Sequence, residues 1–159
     1  KPSTVSGRGM FAAEPIKAGE TVIVWGGMIY TGDDIRMGMC RETSVSRIGE
    51  DLYLADPDTN RECPGYFLNH SCCPNLWMMD ERTLIVRTDI CPGMELTADY
   101  ALWETDPEWV MNPCLCGSRE CRGKVTGYDW KRMELQRRYR NHFTPYVNFL
   151  ILSGDFASL

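Results

Sequence analysis

Three cysteines that lie close together in the sequence could bind a metal ion. Cys114, Cys116 and Cys121 follow the pattern Cys-x-Cys-x4-Cys. Thiolates are preferred zinc ligands, and a structural zinc site takes four protein ligands in a tetrahedron. Because no fourth cysteine lies near these three, the missing ligand has to come from another segment. The spacing therefore predicts a structural zinc site that joins two distant parts of the chain.

The other five cysteines bear on the redox environment and on that missing ligand. The even total of eight would also suit the disulfide framework of a secreted protein, but such proteins are usually shorter and have little apolar core. Here the cysteines cluster at 72–73 and 114–121, a spacing that suits metal ligands better than disulfide bonds. We therefore expect an intracellular protein. The five are Cys40, Cys63, Cys72, Cys73 and Cys91.

Three further segments carry residue types that could contact a ligand. Gly7-Arg8-Gly9 could form a turn in which the backbone approaches a ligand closely, because glycine has no Cβ atom. Residues 69–75 read Asn-His-Ser-Cys-Cys-Pro-Asn, which is a rare string. Residues 95–100 read Glu-Leu-Thr-Ala-Asp-Tyr and place a tyrosine after a predicted strand. Each segment alone also fits ordinary turn or core packing, so their order along the chain is the stronger signal.

Taken in this order, the four segments resemble the SET-domain protein lysine methyltransferases with a post-SET zinc segment. The similarity runs from about Gly7 to Gly123, which is most of the chain. It implies a mainly β fold, the SET β-clip of small curved sheets, with helices at the C-terminus. The segments near Asn69–Asn75 and near Tyr100 would be threaded one through the other's loop as a pseudoknot. Such threading is rare among folds.

The resemblance also implies which residues bind the cofactor, S-adenosyl-L-methionine. Contacts at the glycine turn would be made chiefly by main chain. The cofactor residues that it implies are Gly7, Arg8, Gly9, Asn69 and His70. An apolar or aromatic residue after the zinc segment would pack on the adenine, and the candidates are Val125, Tyr128 and Trp130.

The same resemblance nominates a fourth ligand for the structural Zn²⁺ site. It is Cys72, so that the metal would be held by Cys72, Cys114, Cys116 and Cys121. Its neighbour Cys73 occupies a variable position in the family and stays an alternative, as do the more distant Cys63 and Cys91. A closed site of four cysteines supports folding and takes no part in catalysis.

Tyr100 is the catalytic residue that the resemblance implies. In the family, the hydroxyl of this tyrosine lines the lysine channel and faces the site of methyl transfer. Two residues before it, many members have Phe or Tyr, whose size limits how many methyl groups fit. Ala98 stands at this product-specificity position and predicts a roomier channel, although Tyr53 or Tyr66 could fill the space instead.

Hydrophobic patterns predict the elements that position these segments. Residues 33–50 have no clear period and predict an irregular insert with one helical turn. Toward the C-terminus, a capping box at 126–129 and helical spacing predict a helix that extends to His142. Thr144 and Pro145 predict the N-cap and first residue of a second helix. Short strands are predicted at 21–25, 28–30, 51–55, 83–87 and 95–97.

Length, composition and charge bound the domain organisation and the partners. The 159 residues predict a SET domain at 1–110, a post-SET zinc segment at 111–127 and a helical tail at 128–159 packed on the same domain. The 22 acidic and 17 basic residues give a net charge of −5, which disfavours nucleic acid as a direct partner and suits a basic protein. No apolar run is long enough for a membrane span, so no membrane partner is expected.

These observations predict methyl transfer from S-adenosyl-L-methionine to a lysine ε-amine of a histone or another basic protein. The alternative is a catalytically inactive SET-fold module that binds or scaffolds. An unrelated zinc-stabilised interaction domain is a third possibility, and it would bind zinc without the cofactor.

Overall fold

The computed structural model describes residues 1–57 and 62–154, and it consists mainly of short strands in small sheets. In that part of the chain, three sheets have three strands each and one has two. The strands are β1 (Met10–Phe11), β2 (Thr21–Val24), β3 (Met28–Tyr30), β4 (Ser46–Arg47), β5 (Tyr53–Ala55), β6 (Asn69–His70), β7 (Leu76–Met78), β8 (Thr83–Val86), β9 (Glu95–Ala98), β10 (Val110–Met111) and β11 (Val125–Thr126). The α-helices are α1 (Gly32–Arg36), α2 (Met133–Tyr139) and α3 (Pro145–Ser153). Single 3₁₀ turns lie at Glu42–Ser44, Pro64–Phe67, Tyr100–Leu102, Asp129–Lys131 and Arg140–His142.

One small sheet combines three segments that are far apart in the sequence. Strand β9 pairs antiparallel with β1 and parallel with β6. The parallel pairing aligns Asn69 with Thr97 and His70 with Ala98. Because Tyr100 follows β9 by two residues, this pairing brings the motif at 69–75 next to the predicted catalytic tyrosine.

The main core lies between the sheet of strands β2, β8 and β7 and the C-terminal helices. Buried and half-buried residues alternate along β8, so that Leu84 and Val86 face inward. Leu135 and Tyr139 of α2 and Val147 of α3 lie in the same buried cluster. Because burial of apolar surface is the main favourable term in folding, the C-terminal helices stabilise the core that supports the sheets.

The first C-terminal helix is much shorter than the sequence predicts. The pattern predicts a helix from 126 to 142, but α2 spans only Met133–Tyr139. Before it lie strand β11, a 3₁₀ turn at Asp129–Lys131 and the extended backbone of Arg132 (φ −72°, ψ 121°), and after it Arg140 has a positive φ of 49°. The carboxylate of Asp129, predicted to complete the capping box, accepts a hydrogen bond from the hydroxyl of Thr126 (3.2 Å) and a shorter one from Nε of Arg122 (2.7 Å). A tertiary contact therefore outweighs the local helix signal. The helix predicted to begin at Pro145 is confirmed as α3.

Two further points concern the predicted tail and the membrane. Residues 155–159 of the predicted tail lie outside the described residues. Within the described ranges, no helix is both long enough and apolar enough to cross a bilayer.

Candidate active site and metal centre

The side chain of Asn69 fixes the glycine turn to strand β9. Its amide nitrogen donates hydrogen bonds to the carbonyl oxygens of Ser6 (3.1 Å) and Arg8 (3.2 Å) and to Oε1 of Glu95 (2.7 Å). Gly7 has a positive φ of 43°, which glycine adopts at little cost. The structure thus brings the predicted cofactor residues of the turn together with Asn69.

Arg8 contributes to this turn through its main chain. Its guanidinium forms an exposed ion pair with Glu62 (2.7 Å) and lies 3.9 Å from the ring centroid of Phe67. The side chain is therefore engaged with its own surface, which fits the expectation that the turn offers main-chain groups to a ligand.

Gly9 packs so closely that any side chain at this position would displace a neighbour. A Cβ atom there would lie 2.1 Å from Oε1 of Glu95, the atom that accepts the hydrogen bond from Asn69. We expect Gly9→Ala to destabilise the fold by about 1–3 kcal/mol, since overpacking forces shifts of this cost, and to weaken cofactor binding. Thermal melting and calorimetry with S-adenosyl-L-methionine would measure both effects.

The matched control for that substitution is Gly26→Ala. A Cβ atom at Gly26 would lie 3.9 Å from its nearest neighbour, Oδ1 of Asp56, which is ordinary contact. Equal melting temperatures for the two variants would contradict the tight packing inferred at Gly9.

The imidazole of His70 lies between the cysteine cluster and Tyr100. Its Nδ1 accepts a hydrogen bond from the backbone N–H of Tyr100 (3.2 Å), and its Nε2 lies 3.2 Å from Sγ of Cys72. Because Nδ1 is the acceptor, the proton sits on Nε2 and points at the sulfur. Burial lowers the pKa of His70 to about 4, so the ring is neutral at physiological pH.

Three of the four predicted zinc ligands lie together, two of them buried and Cys116 half-buried. The Sγ atoms of Cys72, Cys114 and Cys116 and a ring nitrogen of His70 are all within 4.8 Å of one another. Cys121 packs against the same cluster, and its thiol lies 3.5 Å from the carbonyl oxygen of Cys114. For His70 to bind the metal, Nε2 would have to lose its proton and Nδ1 would have to carry one. The N–H at Nδ1 would then face the backbone N–H of Tyr100, so two donors would meet without an acceptor. Cys121 is therefore the better fourth donor.

The surroundings of the sulfur atoms fit a thiolate-bound cation. Backbone N–H groups donate to sulfur at Cys72, from Arg122 (3.4 Å), and at Cys121, from Gly123 (3.4 Å). Burial raises the pKa of Cys116, but backbone hydrogen bonds outweigh it and bring the pKa to about 6. Burial also raises the pKa of Cys72 well above its usual range, so a thiolate there requires a nearby cation. Zn²⁺ prefers this donor set.

The alternative fourth ligands lie elsewhere. Cys73 and Cys91 are exposed, and Cys63 lines a separate cavity. Of the cysteines considered for the fourth position, the structure brings Cys72 into contact with the Cys114–Cys121 segment.

Tyr100 lines a cavity of about 210 Å³, and four other aromatic side chains contribute to its wall. Its hydroxyl donates a hydrogen bond to the carbonyl oxygen of Leu68 (2.8 Å), and burial raises its pKa to about 12. Two carboxyl groups, those of Asp56 and Glu104, also line the cavity. Aromatic faces and carboxylates together suit a cation on an apolar stem. The aromatic lining residues are Trp25, Tyr66, Tyr100, Trp103 and Trp109.

Ala98 precedes the cavity residue Tyr100 by two positions, but its side chain faces the core. It is fully buried in the main apolar cluster, because alternation along β9 turns Leu96 and Ala98 inward. Tyr66, one of the two aromatic residues that could replace its missing bulk, lines the cavity, with its hydroxyl hydrogen-bonded to Asp56.

The three candidates for contact with an adenine ring differ in accessibility. Val125 and Trp130 are completely buried within the protein. Tyr128 is 43% exposed, and Nζ of Lys131 lies 4.8 Å from its ring centroid. An exposed ring is the one that a ligand can cover.

Sequence reasoning missed most of the cavity wall and the partners of Arg122. Trp103 and Trp109 follow Tyr100 within nine residues, so the local density of tryptophan was an available signal. Arg122 follows Cys121 directly, but arginine is usually exposed, and its residue type gave no sign of burial.

Comparison with known proteins identifies the family. The sequence model of the SET domain matches residues 7–101, more than half of the chain. Relatives include "Histone-lysine N-methyltransferase, H3 lysine-4 specific" of Schizosaccharomyces pombe, 34% identical over 139 residues, and the Homo sapiens "Histone-lysine N-methyltransferase SETD1B", 33% identical over 134 residues. These alignments cover 77% and 74% of this chain but only 14% and 6% of the two relatives.

Solved structures share the fold. KRYPTONITE in complex with mCHG DNA and SAH matches with a TM-score of 0.59 at 23% identity, over 77% of this chain and 27% of that one. The methyltransferase domain of human SETMAR matches with a TM-score of 0.58 at 23% identity, over 77% and 55%. The predicted fold class, mainly β of the SET type with C-terminal helices, is confirmed. The matched domain, the order of its motifs and its fold place this chain in the SET-domain family.

Proposed function

We propose that this chain transfers a methyl group from S-adenosyl-L-methionine to the ε-amine of a lysine in a basic protein. The observation that carries the proposal is the position of Tyr100. Its ring lines the aromatic cavity, and its backbone N–H binds His70, which lies next to Asn69 and the glycine turn. A tyrosine between the cavity and the proposed cofactor segment could orient a lysine amine toward a methyl donor. The names of the relatives, histone-lysine N-methyltransferases, support the same activity.

The cavity solves the problem of a poorly nucleophilic amine. A lysine amine has a pKa near ~10.4 and is almost wholly protonated at neutral pH. The carboxyl groups of Asp56 and Glu104 would attract the charged amine, whereas burial against the aromatic rings opposes the charge and favours the neutral form, which carries the lone pair. When bound, S-adenosyl-L-methionine supplies an activated methyl group on a positively charged sulfonium, whose charge opposes a charged amine nearby.

Tyr100 orients the amine. Because its hydroxyl donates to Leu68, the lone pairs of its oxygen remain available to accept from an amine N–H. Its raised pKa keeps the hydroxyl protonated at physiological pH. Holding the reacting atoms ~3–3.5 Å apart supplies much of the acceleration, so the reaction needs positioning more than a strong base.

The cofactor would lie against Gly7, Arg8, Gly9, Asn69 and His70. Two contacts follow from the geometry of the free protein. The imidazole of His70 is occupied by Cys72 and Tyr100, so His70 would contact the cofactor through its main chain. Tyr128 would cover the adenine, because Val125 and Trp130 are already buried.

Zinc would be held by Cys72, Cys114, Cys116 and Cys121 and would have a structural role. It would join the segment after Met111 to the strand that carries the cofactor residues. We propose residues 1–110 as the SET domain and residues 111–127 as the post-SET zinc segment.

The substrate would be a basic protein, such as a histone tail. The net charge of −5 favours a cationic partner, and Asp56 and Glu104 place carboxyl groups at the cavity. Two experiments test the function: calorimetry measures binding of S-adenosyl-L-methionine, and transfer of a labelled methyl group to histones measures turnover. Binding with turnover supports the proposal, whereas binding without turnover on histones or on a cell lysate would identify an inactive SET-fold module.

The product-specificity role of Ala98 is part of this proposal and can be tested. Ala98→Phe should lower the stability by about 1–3 kcal/mol, because the residue is fully buried and a phenyl ring overpacks the core. Because Ala98 faces the core, the ring would narrow the channel by pushing its neighbours toward it, and we expect this to shift products of the folded fraction toward fewer methyl groups. Mass spectrometry of the substrate would count them. An unchanged distribution of methylation states would contradict the role and favour Tyr66 as the residue that sets the channel size.

A further inference from the structure

A cluster of buried charges lies between the cysteine segment and Tyr100. The guanidinium of Arg122 donates two hydrogen bonds to the carboxylate of Asp99, from Nη1 and Nη2, both 2.7 Å long. Its Nε donates to Asp129, also at 2.7 Å. The side chains of the three residues are 6%, 0% and 6% exposed. The hydroxyl of Tyr139 on α2 completes the cluster with a 2.8 Å hydrogen bond to Asp99.

Both ends of the ion pair are attached to the proposed site. Asp99 precedes Tyr100, and its Oδ1 accepts from the backbone N–H of Ala101 (3.1 Å), which caps the 3₁₀ turn that begins at Tyr100. Arg122 follows Cys121, and its own backbone N–H donates to Sγ of Cys72 (3.4 Å). Arg122 is therefore bonded directly to Cys121 in the chain, and its guanidinium is linked to the Tyr100 turn by its hydrogen bonds to Asp99.

An ion pair this deeply buried is poorly explained by stability alone. Removing two charges from water is costly, and an apolar replacement of similar volume is often at least as stable. What a bidentate arginine–carboxylate pair adds is a fixed relative geometry, because both groups are planar and their two parallel bonds define an orientation. The element whose orientation is fixed here is the turn that carries Tyr100.

We infer that Arg122 is a positioning residue for the methyl-transfer reaction, holding the Tyr100 turn in register with the cysteine segment through Asp99. This inference rests on the proposed function. It implies that the metal site contributes to turnover through Tyr100, in addition to supporting the fold.

Arg122→Lys is the discriminating variant, because it keeps the positive charge and removes the two-pronged contact. We expect kcat to fall ~10-fold while the KM for S-adenosyl-L-methionine changes less than ~3-fold, as for a group that acts on the reacting geometry. Arg132→Lys is the matched control. It makes the same change in an ion pair with Glu134 (2.7 Å) that lies on the surface and does not contact Asp99, so kcat should stay within ~2-fold of wild type. A kcat for Arg122→Lys no lower than that for Arg132→Lys would overturn the inference.

A second readout does not depend on activity. In protein labelled with 3-fluorotyrosine, the ¹⁹F resonance of Tyr100 can be assigned by its loss in Tyr100→Phe. We expect it to move in Arg122→Lys, and to move in the wild type when a chelator removes zinc. An unmoved resonance in both cases would overturn the inference, even in a protein that transfers no methyl group, so its failure is distinguishable from failure of the proposed function. If Arg122→Lys does not fold, the double variant Asp99→Asn, Arg122→Gln replaces the ion pair with neutral hydrogen-bonding groups, and the same two measurements apply.

Discussion

Tyr100→Phe should lower the rate of methyl transfer at least ~10²-fold, by analogy with the loss of one preorganised polar group in other enzymes. The substitution keeps the ring, which packs at 5.3 Å from Trp103 and 5.9 Å from Trp109, and removes only the hydroxyl. The variant loses the hydroxyl that is proposed to orient the amine, together with its hydrogen bond to Leu68. Single-turnover kinetics would measure the rate, and calorimetry should find cofactor affinity within ~2-fold of wild type.

Tyr30→Phe is the control for this result. Tyr30 is buried in a separate small cluster with Cys40 and Ala55, and its own side chain does not line the cavity. Its loss of a hydroxyl should leave turnover unchanged. Turnover of Tyr100→Phe equal to that of Tyr30→Phe would remove Tyr100 from the reaction.

Cys72→Ser should abolish stoichiometric zinc binding and destabilise the protein. Cys72 is fully buried at the centre of the cluster, and a structural zinc site contributes its binding energy to folding. A loss of ~3 kcal/mol would lower the melting temperature by roughly 6–12 °C in a chain of this size. Elemental analysis would count the metal, and limited proteolysis should reveal new cleavage within residues 114–123.

The adjacent cysteine provides a control for Cys72. Cys73 has the same chemistry one residue away, but it is exposed to solvent. Cys73→Ser should therefore keep one zinc per chain and an unchanged melting temperature. Retention of zinc by Cys72→Ser, or its loss from Cys73→Ser, would mean that the ligand set is wrong.

Strands with clear patterns could be predicted from the sequence. β-branched runs or flanking turns gave β3 with its observed bounds and gave β2, β8 and β9 within one residue. The alternating segment predicted at 51–55 contains β5, which begins two residues later, at Tyr53. The two-residue strands β1, β4, β6, β10 and β11 are too short to carry a period, and tertiary pairing alone defines them. The same holds for the insert at 33–50, where β4 pairs with β5.

The site could be predicted as a set of segments but not as a set of contacts. Nothing local to His70 indicates that its ring accepts a hydrogen bond from the N–H of Tyr100, because this bond depends on the pairing of β6 with β9. The contact of the ring with Cys72, two residues away, is local. Likewise, the carboxylate of Asp129 fits a helix cap locally, and its bond to Arg122 depends on how the cysteine segment folds back.

The most direct test of the central claim is to identify the atom that receives the methyl group. The protein would be incubated with S-adenosyl-L-methionine carrying a deuterated methyl group and with histones, and the products analysed by tandem mass spectrometry. The account predicts the deuterated methyl group on a lysine ε-amine, with labelling by Tyr100→Phe at least ~10²-fold slower. Label on another residue type, or equal labelling by wild type and Tyr100→Phe, would contradict it.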